Sequence, residues 1–189
     1  MVQMSGLLDK KYLFLGVFIA LSSVLGGMVF FSGQKPIGIL TYVNGHSMEP
    51  TLPNGTKICL FRNFPVVSGD IKTGDIVGIH FNGKNINMVK RVIGIPGDQI
   101  VFGKDGYIYR NGEQMKEDYI IGNPKFFLTP GFSRVLLQIE RFGGILPSNM
   151  FLVLGDNRRN SLDSSEYGLI HFDQILGTVE VKNAGNCGE

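Results

Sequence analysis

The hydrophobic pattern opens with one long uninterrupted run. Residues 12–34 contain no charged side chain, and YLFLGVFIALSSVLGGMVFF (12–31) is almost entirely apolar. A helix of this length, at about 1.5 Å per residue, spans about 30 Å, the thickness of the hydrocarbon core of a bilayer. The run exceeds the roughly 7–15 apolar residues of a cleavable signal peptide, and a helix apolar all round is unusual inside so small a domain. It predicts a transmembrane anchor over residues 12–34.

The charges beside this run predict its orientation. Asp9, Lys10 and Lys11 precede it, and only Lys35 follows closely. The positive-inside rule then places the N-terminus, residues 1–11, in the cytoplasm. Residues 35–189 would form an extracytoplasmic domain of a single-pass protein of the inner (plasma) membrane, with membrane lipid as a partner.

Beyond residue 35 the pattern changes to short runs of Val, Ile, Phe and Tyr bounded by turn residues, which is typical of strands. The stretch 97–115 contains an Asp-Gly and an Asn-Gly turn and predicts a meander of tight hairpins. Further strands are predicted in KICLF (57–61), KTGDIVGIHF (72–81), INMVKRVIGI (86–95), NMFLVLGDN (149–157) and GTVEV (177–181). The predicted fold class is mainly β, a single β-rich domain on one N-terminal transmembrane helix.

The stretch from Tyr119 to Pro147 stays undecided. A helical face would contain Val135, Leu136, Ile139 and Phe142, whereas a strand face would contain Val135, Leu137 and Ile139. The two periodicities share residues, so the pattern alone does not distinguish a helix from a strand.

Charge and cysteine content narrow the function classes. The formal net charge is +2 with the charges spread along the chain, so no basic patch indicates a nucleic-acid partner. Of two cysteines, Cys59 lies in an apolar run and Cys187 in a polar tail. A disulfide is permitted in an oxidising compartment, but one pair at these positions indicates no framework. The favoured interpretation is a buried thiol and a separate free thiol in the tail.

The stretch NGHSMEPTL (44–52) places Ser47 in a short polar loop, where it could act as a nucleophile if a base lies beside it. The α/β-hydrolase pattern G-x-S-x-G fails at Glu49, and a Ser-x-x-Lys site fails at Pro50. His46 is the chain neighbour of Ser47, and adjacent side chains usually diverge. The three histidines have no spacing that indicates a triad or a metal site.

A lysine can serve as the base if desolvation lowers its pKa from about 10.4 towards neutrality. In INMVKRVIGI, period-2 alternation places Lys90 between Met88 and Val92 on one face of a strand, with Val89, Arg91 and Ile93 on the other. Lys90 thus has the apolar neighbours that this chemistry requires. On this stretch alone, the alternative remains open that Lys90 lies at a strand edge and extends to water.

Four motifs occur in a fixed order: SMEPTL (47–52), GDIV (74–77), KRVIGIPGD (90–98) and GDNRRNSLDS (155–164). Together with the anchor they resemble the type I signal peptidases (leader peptidases), membrane-bound serine proteases with a Ser/Lys dyad. The likeness extends from about Asn44 to Gly177. It implies that Ser47 is the nucleophile and Lys90 the general base, and that Ser161 orients the lysine amine.

The resemblance also implies two supporting carboxylates, Asp163 as a structural group near the dyad and Asp156 as a partner of Arg91. A carboxylate touching Lys90 directly would raise its pKa, so both should face other cations or backbone donors. The family pattern usually ends in DSR, where the arginine pairs with the aspartate, but this chain has Ser165. One of the two arginines in GDNRRN could replace that partner.

A second departure concerns the oxyanion. Some members carry a hydroxyl residue two places before the nucleophile as an oxyanion donor, where this chain has Gly45. The backbone N–H of Ser47 is then the one donor that the sequence suggests.

The expected activity is that of a serine endopeptidase that removes signal peptides from exported preproteins after small residues of the Ala-x-Ala type. The substrate would lie along an exposed strand edge with residues 39–43 as a wall, and no metal or cofactor is implied. Two alternatives remain: a dedicated conjugative-transfer peptidase that matures a pilin precursor, and a catalytically decayed, membrane-tethered binding module. A self-cleaving repressor with the same chemistry is disfavoured by the apolar run and by the lack of a helix-turn-helix pattern.

Overall fold

A computed structural model describes residues 37–62, 68–81, 86–121, 132–181 and 187. The predicted cytoplasmic N-terminus and the predicted anchor over 12–34 lie outside these residues. Within the described ranges, no helix is long and apolar enough to cross a membrane. All described residues belong to one compact unit, residues 36–189.

The unit is built mainly from antiparallel strands. In chain order they are β1 (Ile37–Tyr42), β2 (Lys57–Arg62), β3 (Ile76–Phe81), β4 (Ile86–Gly94), β5 (Ile100–Phe102), β6 (Ile108–Arg110), β7 (Glu113–Gln114), β8 (Met150–Leu154), β9 (Ile170–His171) and β10 (Ile175–Val181). Seven form a sheet in the order β1-β2-β10-β3-β4-β8-β9, and β5-β6-β7 form a small meander. The prediction of a mainly β fold is confirmed.

The undecided stretch contains a helix, α1 (Phe132–Arg141). Val135 and Ile139 are buried and Leu136 is partly buried, whereas Leu137 is 64% exposed. A strand would have required Leu137 on the same buried face as Val135 and Ile139. The helical spacing therefore describes this segment, although Phe142, just beyond the helix, is half exposed.

Strand β4 lies between two hydrophobic clusters and is covered on both faces. Val92 packs in one cluster with Val77 and Phe151, while Ile93 packs in the other with α1 residues such as Val135. Burying a side chain of this size stabilises the folded state by about 1.5–3 kcal/mol. This double cover makes the middle of β4 a rigid and dry position for the side chain at residue 90.

The interpretation of the two cysteines as unpaired thiols is wrong. Cys59 on β2 and Cys187 form a disulfide, with their Cα atoms 5.6 Å apart. A Cβ at Gly38 of β1 would lie 2.5 Å from the Cys187 Cβ, so the missing side chain leaves room for the tail residue. The pairing joins residues separated by 128 positions, and the spacing in the sequence therefore carried no signal for it.

Replacing Cys187 by serine is expected to destabilise the fold. A disulfide that closes a long loop restricts the unfolded chain, and its loss typically costs about 2–4 kcal/mol. For a chain of this size such a loss lowers Tm by about 5–15 °C. Thermal unfolding of the full chain in detergent would measure the change. Reductant should lower the Tm of the parent and leave Cys187→Ser unchanged; an unaltered Tm in both would contradict the disulfide.

Candidate active site

Ser47 lies in a tight turn that follows β1. The buried side chains of Met48 and Leu52 anchor this turn in the core. The Leu52 N–H also donates to the Met48 carbonyl at 2.8 Å. Gly45 has φ +118°, a conformation that side chains rarely adopt, and its N–H donates to the Asn54 side chain at 2.9 Å. The sequence thus holds Ser47 on a rigid turn and presents its hydroxyl.

Lys90 meets this hydroxyl from the middle of β4, where it pairs with Val77 of β3. Its Nζ donates to Ser47 Oγ at 2.8 Å and to the Val89 carbonyl at 2.9 Å. The residue is only 3% exposed, so the alternative in which Lys90 extends to water is wrong. Burial lowers the pKa of Lys90, and this effect outweighs the nearby charges of Asp163 and Asp156, which raise it.

The neighbouring histidine has another partner. His46 is exposed, and its Nδ1 lies 2.8 Å from Glu49 Oε1. The hydrogen bond from His46 lowers the pKa of Glu49. His80 likewise bonds to Asn87, at 2.7 Å. Neither histidine bonds to Ser47. Among the described residues, Lys90 is the titratable side chain that forms a hydrogen bond with the Ser47 hydroxyl.

Arg91, the chain neighbour of Lys90, forms a two-point ion pair with Asp156. Arg91 Nε donates to Asp156 Oδ1 at 2.8 Å, and Nη2 donates to Oδ2 at 2.6 Å. The Thr51 hydroxyl also donates to Asp156 Oδ2, at 2.5 Å. Asp156 is 2% exposed, and these donors satisfy its charge without Lys90. The pair ties β4 to the loop that follows β8.

Asp163 is buried as well, and its partners are backbone groups. Its Oδ2 accepts from the Gly155 N–H at 2.8 Å, and its Oδ1 accepts from the Ser165 N–H at 2.9 Å. The second bond caps the short helix α2 (Ser164–Tyr167). This chain has a serine at residue 165, where the family pattern has an arginine. The backbone N–H of Ser165 bonds to the Asp163 carboxylate instead of an arginine side chain. Arg158, one of the two arginines that could replace this partner, pairs with Glu117 instead.

The loop formed by residues 155–164 packs directly on the turn that carries the serine. The Asn157 N–H donates to the Ser47 carbonyl at 3.0 Å. A Cβ at Gly155 would lie closer than 3.0 Å to both the Ser47 carbonyl oxygen and the Ser161 hydroxyl. Ser161 is therefore held beside the site, but its buried Oγ forms no hydrogen bond to Lys90 or to any other described group.

A groove of about 830 Å³ opens over Ser47 and Lys90. One wall comes from β1 and includes Ile39 and Tyr42, which are exposed. Leu60 lies in its floor beside Gly78, where a Cβ would lie 2.8 Å from the leucine Cδ1. The missing side chain at residue 78 leaves room for Leu60 to pack against the backbone of β3.

A family model described as "Signal peptidase, peptidase S26" matches residues 11–183, nearly the whole chain. The chain belongs to this family. It is a serine endopeptidase that removes signal peptides, and the resemblance of its four motifs to the signal peptidases is confirmed.

The peptidase is similar to several signal peptidases of other bacteria. Signal peptidase IB of Staphylococcus aureus (strain Mu50 / ATCC 700699) is 37% identical over 145 residues, which cover 74% of each chain. Signal peptidase I S of Bacillus subtilis (strain 168) is 40% identical over 139 residues, covering 72% of this chain and 71% of the relative. The crystal structure of a signal peptidase I from Enterococcus faecalis V583 aligns with a TM-score of 0.44 at 24% identity, over 57% of this chain and 95% of that one.

Sequence reasoning missed a buried charged cluster, formed by Glu117, Tyr119 and Arg158, that contacts the loop of residues 155–164. Glu117 is 7% exposed and pairs with Arg158, and Tyr119 donates to Glu117 at 2.7 Å. The segment MKEDY has the composition of a solvated loop. The signal that could have indicated burial of Glu117 is the alternation of this segment. Met115 and Tyr119 both pack against the core, and Glu117 lies midway between them on the same face.

Proposed function

We propose that Ser47 and Lys90 form the catalytic dyad of a membrane-anchored signal peptidase. The observation that carries the proposal is the 2.8 Å distance between Lys90 Nζ and Ser47 Oγ, with the lysine 3% exposed. Burial favours the neutral amine, and a neutral amine can accept the proton that the serine must lose. A lysine in water, protonated at neutral pH, could not act as this base.

In the proposed mechanism, Ser47 Oγ attacks the scissile carbonyl while Lys90 Nζ takes its proton. The protonated amine then donates to the leaving amine, which releases the mature protein and leaves an acyl-enzyme. Lys90 next takes a proton from water, and the resulting hydroxide attacks the ester carbonyl. The protonated amine returns this proton to Ser47 Oγ as the acyl–oxygen bond breaks, which releases the acid and restores the enzyme. The Ser47 N–H is the oxyanion donor, and it has no acceptor among the described residues.

Three residues are proposed to support the dyad. Ser161 would orient the lysine amine, and the missing partner of its Oγ leaves that hydroxyl available for the purpose. Asp156 holds Arg91 and so fixes the strand segment next to Lys90. Asp163 would place a negative charge near the Lys90 amine. The backbone N–H groups of Gly155 and Ser165 bond to both carboxylate oxygens and so keep Asp163 from pairing with Lys90.

The proposed substrate is a preprotein with small residues at the first and third positions before the cut. β1 is the terminal strand of the seven-stranded sheet, and an extended segment can hydrogen-bond along its outer edge. The groove beside it is walled by apolar side chains such as Ile39. The anchor proposed over 12–34 would hold the domain outside the plasma membrane, near the emerging cleavage site, and raise the effective concentration of substrate.

Co-expression of the full chain with precursors carrying Ala-x-Ala sites tests this function. The parent should shorten the precursor and Ser47→Ala should not. Replacing either alanine of the site by a bulky residue should slow cleavage by about 10–200-fold, the range for a group that does not fit its pocket. A parallel pilin-type precursor separates a general peptidase from a dedicated one. Retention of precursor without cleavage would instead support a decayed binding module.

A further inference from the structure

The buried pair of Glu117 and Arg158 contacts the loop of residues 155–164, which packs on the Ser47 turn, and Glu117 lies in none of the four motifs. The side chains are 2% and 6% exposed, and both terminal nitrogens of Arg158 donate to the two oxygens of Glu117. Two opposite charges are stable in so dry a place only when each finds a partner and further hydrogen bonds. The Tyr119 hydroxyl provides one of these, donating to Glu117 Oε1 at 2.7 Å.

Arg158 transmits this anchorage to the loop beside the dyad. Its Nε donates to the Gly155 carbonyl at 3.1 Å, and the Gly155 N–H donates to Asp163 Oδ2 at 2.8 Å. A continuous line of contacts therefore runs from Glu117 through Arg158 and Gly155 to Asp163. Asp163 matters to the chemistry because its charge acts on Lys90 more strongly than that of Asp156 does.

Tyr119, two residues after Glu117, contacts Arg91 as well. The Arg91 guanidinium carbon lies 4.0 Å from the centre of the Tyr119 ring, so the ring stacks under the group that holds Asp156. Burial, together with the charge of Glu117, raises the pKa of Tyr119, and its hydroxyl stays a proton donor throughout the working range of the enzyme. One tyrosine thus braces both arginine–carboxylate pairs.

We infer that Glu117 and Tyr119 are positioning residues of the peptidase, which hold Arg158 on Gly155 and thereby keep Asp163 hydrogen-bonded beside Lys90. The inference rests on the proposed dyad and deepens it. Without Glu117, Arg158 loses its anchor and the Gly155 N–H is free to leave Asp163. The carboxylate would then act on Lys90 with its charge less well compensated, and the protonated amine would be favoured.

The test is the pH profile of cleavage by the purified full chain in detergent, with a fluorogenic Ala-x-Ala peptide. For the parent, kcat/KM should rise with pH as Lys90 loses its proton. Glu117→Gln should move this rise to higher pH, by about one unit if the change at Asp163 is worth tenfold. At neutral pH kcat should fall by about tenfold or more with KM nearly unchanged, as expected for geometry that matters in the transition state.

Asp118→Asn is the matched control, because Asp118 is exposed and lies between the two positioning residues. It should leave the profile and kcat unaltered. Tyr119→Phe keeps the ring under Arg91 and removes only the hydroxyl, so it should give a smaller shift in the same direction. If Glu117→Gln fails to fold, Tyr119→Phe alone decides: an unmoved profile would overturn the inference.

Two other results are equally clear. If Glu117→Gln lowers Tm but its folded fraction keeps the parental kcat and profile, the cluster only stabilises the fold and the inference is wrong. A shift to lower pH would mean that Arg158 acts on Lys90 directly, and would also overturn it. Failure of the dyad itself is distinguishable, because Lys90→Met would then retain cleavage.

Discussion

Lys90→Met is expected to abolish cleavage while leaving a folded enzyme. The substitution keeps the length of the side chain and removes the amine that lies 2.8 Å from Ser47 Oγ. Loss of the base in an enzyme whose groups act as a unit costs about 10⁴–10⁶-fold in kcat. Precursor cleavage by the purified full chain would measure the loss. Lys72→Met, which removes an exposed lysine, should keep the parental rate.

The same variant should also change how stability depends on pH. In the unfolded chain Lys90 titrates near 10.4, whereas burial lowers its pKa in the folded protein. Between these two values the unfolded state binds the proton and the folded state does not, so the parent gains up to about 1.4 kcal/mol of stability per pH unit as pH rises. Lys90→Met has no such proton, and its advantage over the parent should grow as pH falls through this window.

Two results would contradict the assignment of Lys90 as the general base. If Lys90→Met still cleaves and His46→Ala does not, the base is the histidine despite its contact with Glu49. If the stability difference between Lys90→Met and the parent is the same at every pH, the lysine pKa is not lowered in the folded protein. Chemical denaturation at a series of pH values gives the second answer independently of activity.

Gly155→Ala is expected to impair the enzyme strongly, although less than Lys90→Met does. A methyl group there would lie closer than 3.0 Å to the Ser47 carbonyl and to the Ser161 hydroxyl, so the loop and the serine turn must separate. A displacement of about 1 Å at a reacting group costs about 100-fold in rate. The overpacking should also lower the free energy of unfolding by about 1–3 kcal/mol. Steady-state kinetics and thermal unfolding would measure both.

Gly69→Ala provides the matched control, since a Cβ there meets no atom within 4 Å and the backbone φ is not positive. Its kcat and Tm should equal or slightly exceed those of the parent, because alanine restricts the unfolded chain. Equal kinetics for the two alanine variants would mean that the loop does not position Ser47.

The pairing of Ser47 with Lys90 could be predicted from the sequence because two independent features coincide at Lys90. The alternation in β4 places the lysine among apolar neighbours, and the order of the four motifs points to the same residue. Burial at 3% exposure was not predictable from the strand itself. It depends on β3, where Val77 pairs with Lys90, and on the turn that brings Ser47 over the strand.

Other features depend on contacts between distant parts of the chain. Glu117 and Arg158 are 41 residues apart, and each resembles a surface charge in its own segment. The backbone amides that satisfy Asp163 leave no trace in residue types. Helix α1 was undecided for a local reason, since Val135 and Ile139 fit both periodicities and only the exposure of Leu137 separates them.

The disulfide between Cys59 and Cys187 determines what happens to the protein when its backbone is cut. It closes a covalent loop that contains Lys90 and Asp163, while Ser47 lies in the turn that precedes this loop in the chain. A protease that nicks one peptide bond between the two cysteines therefore cannot release a fragment, and Lys90 stays attached to the segment that carries Ser47. After such a single cut the protein would remain one covalently joined molecule.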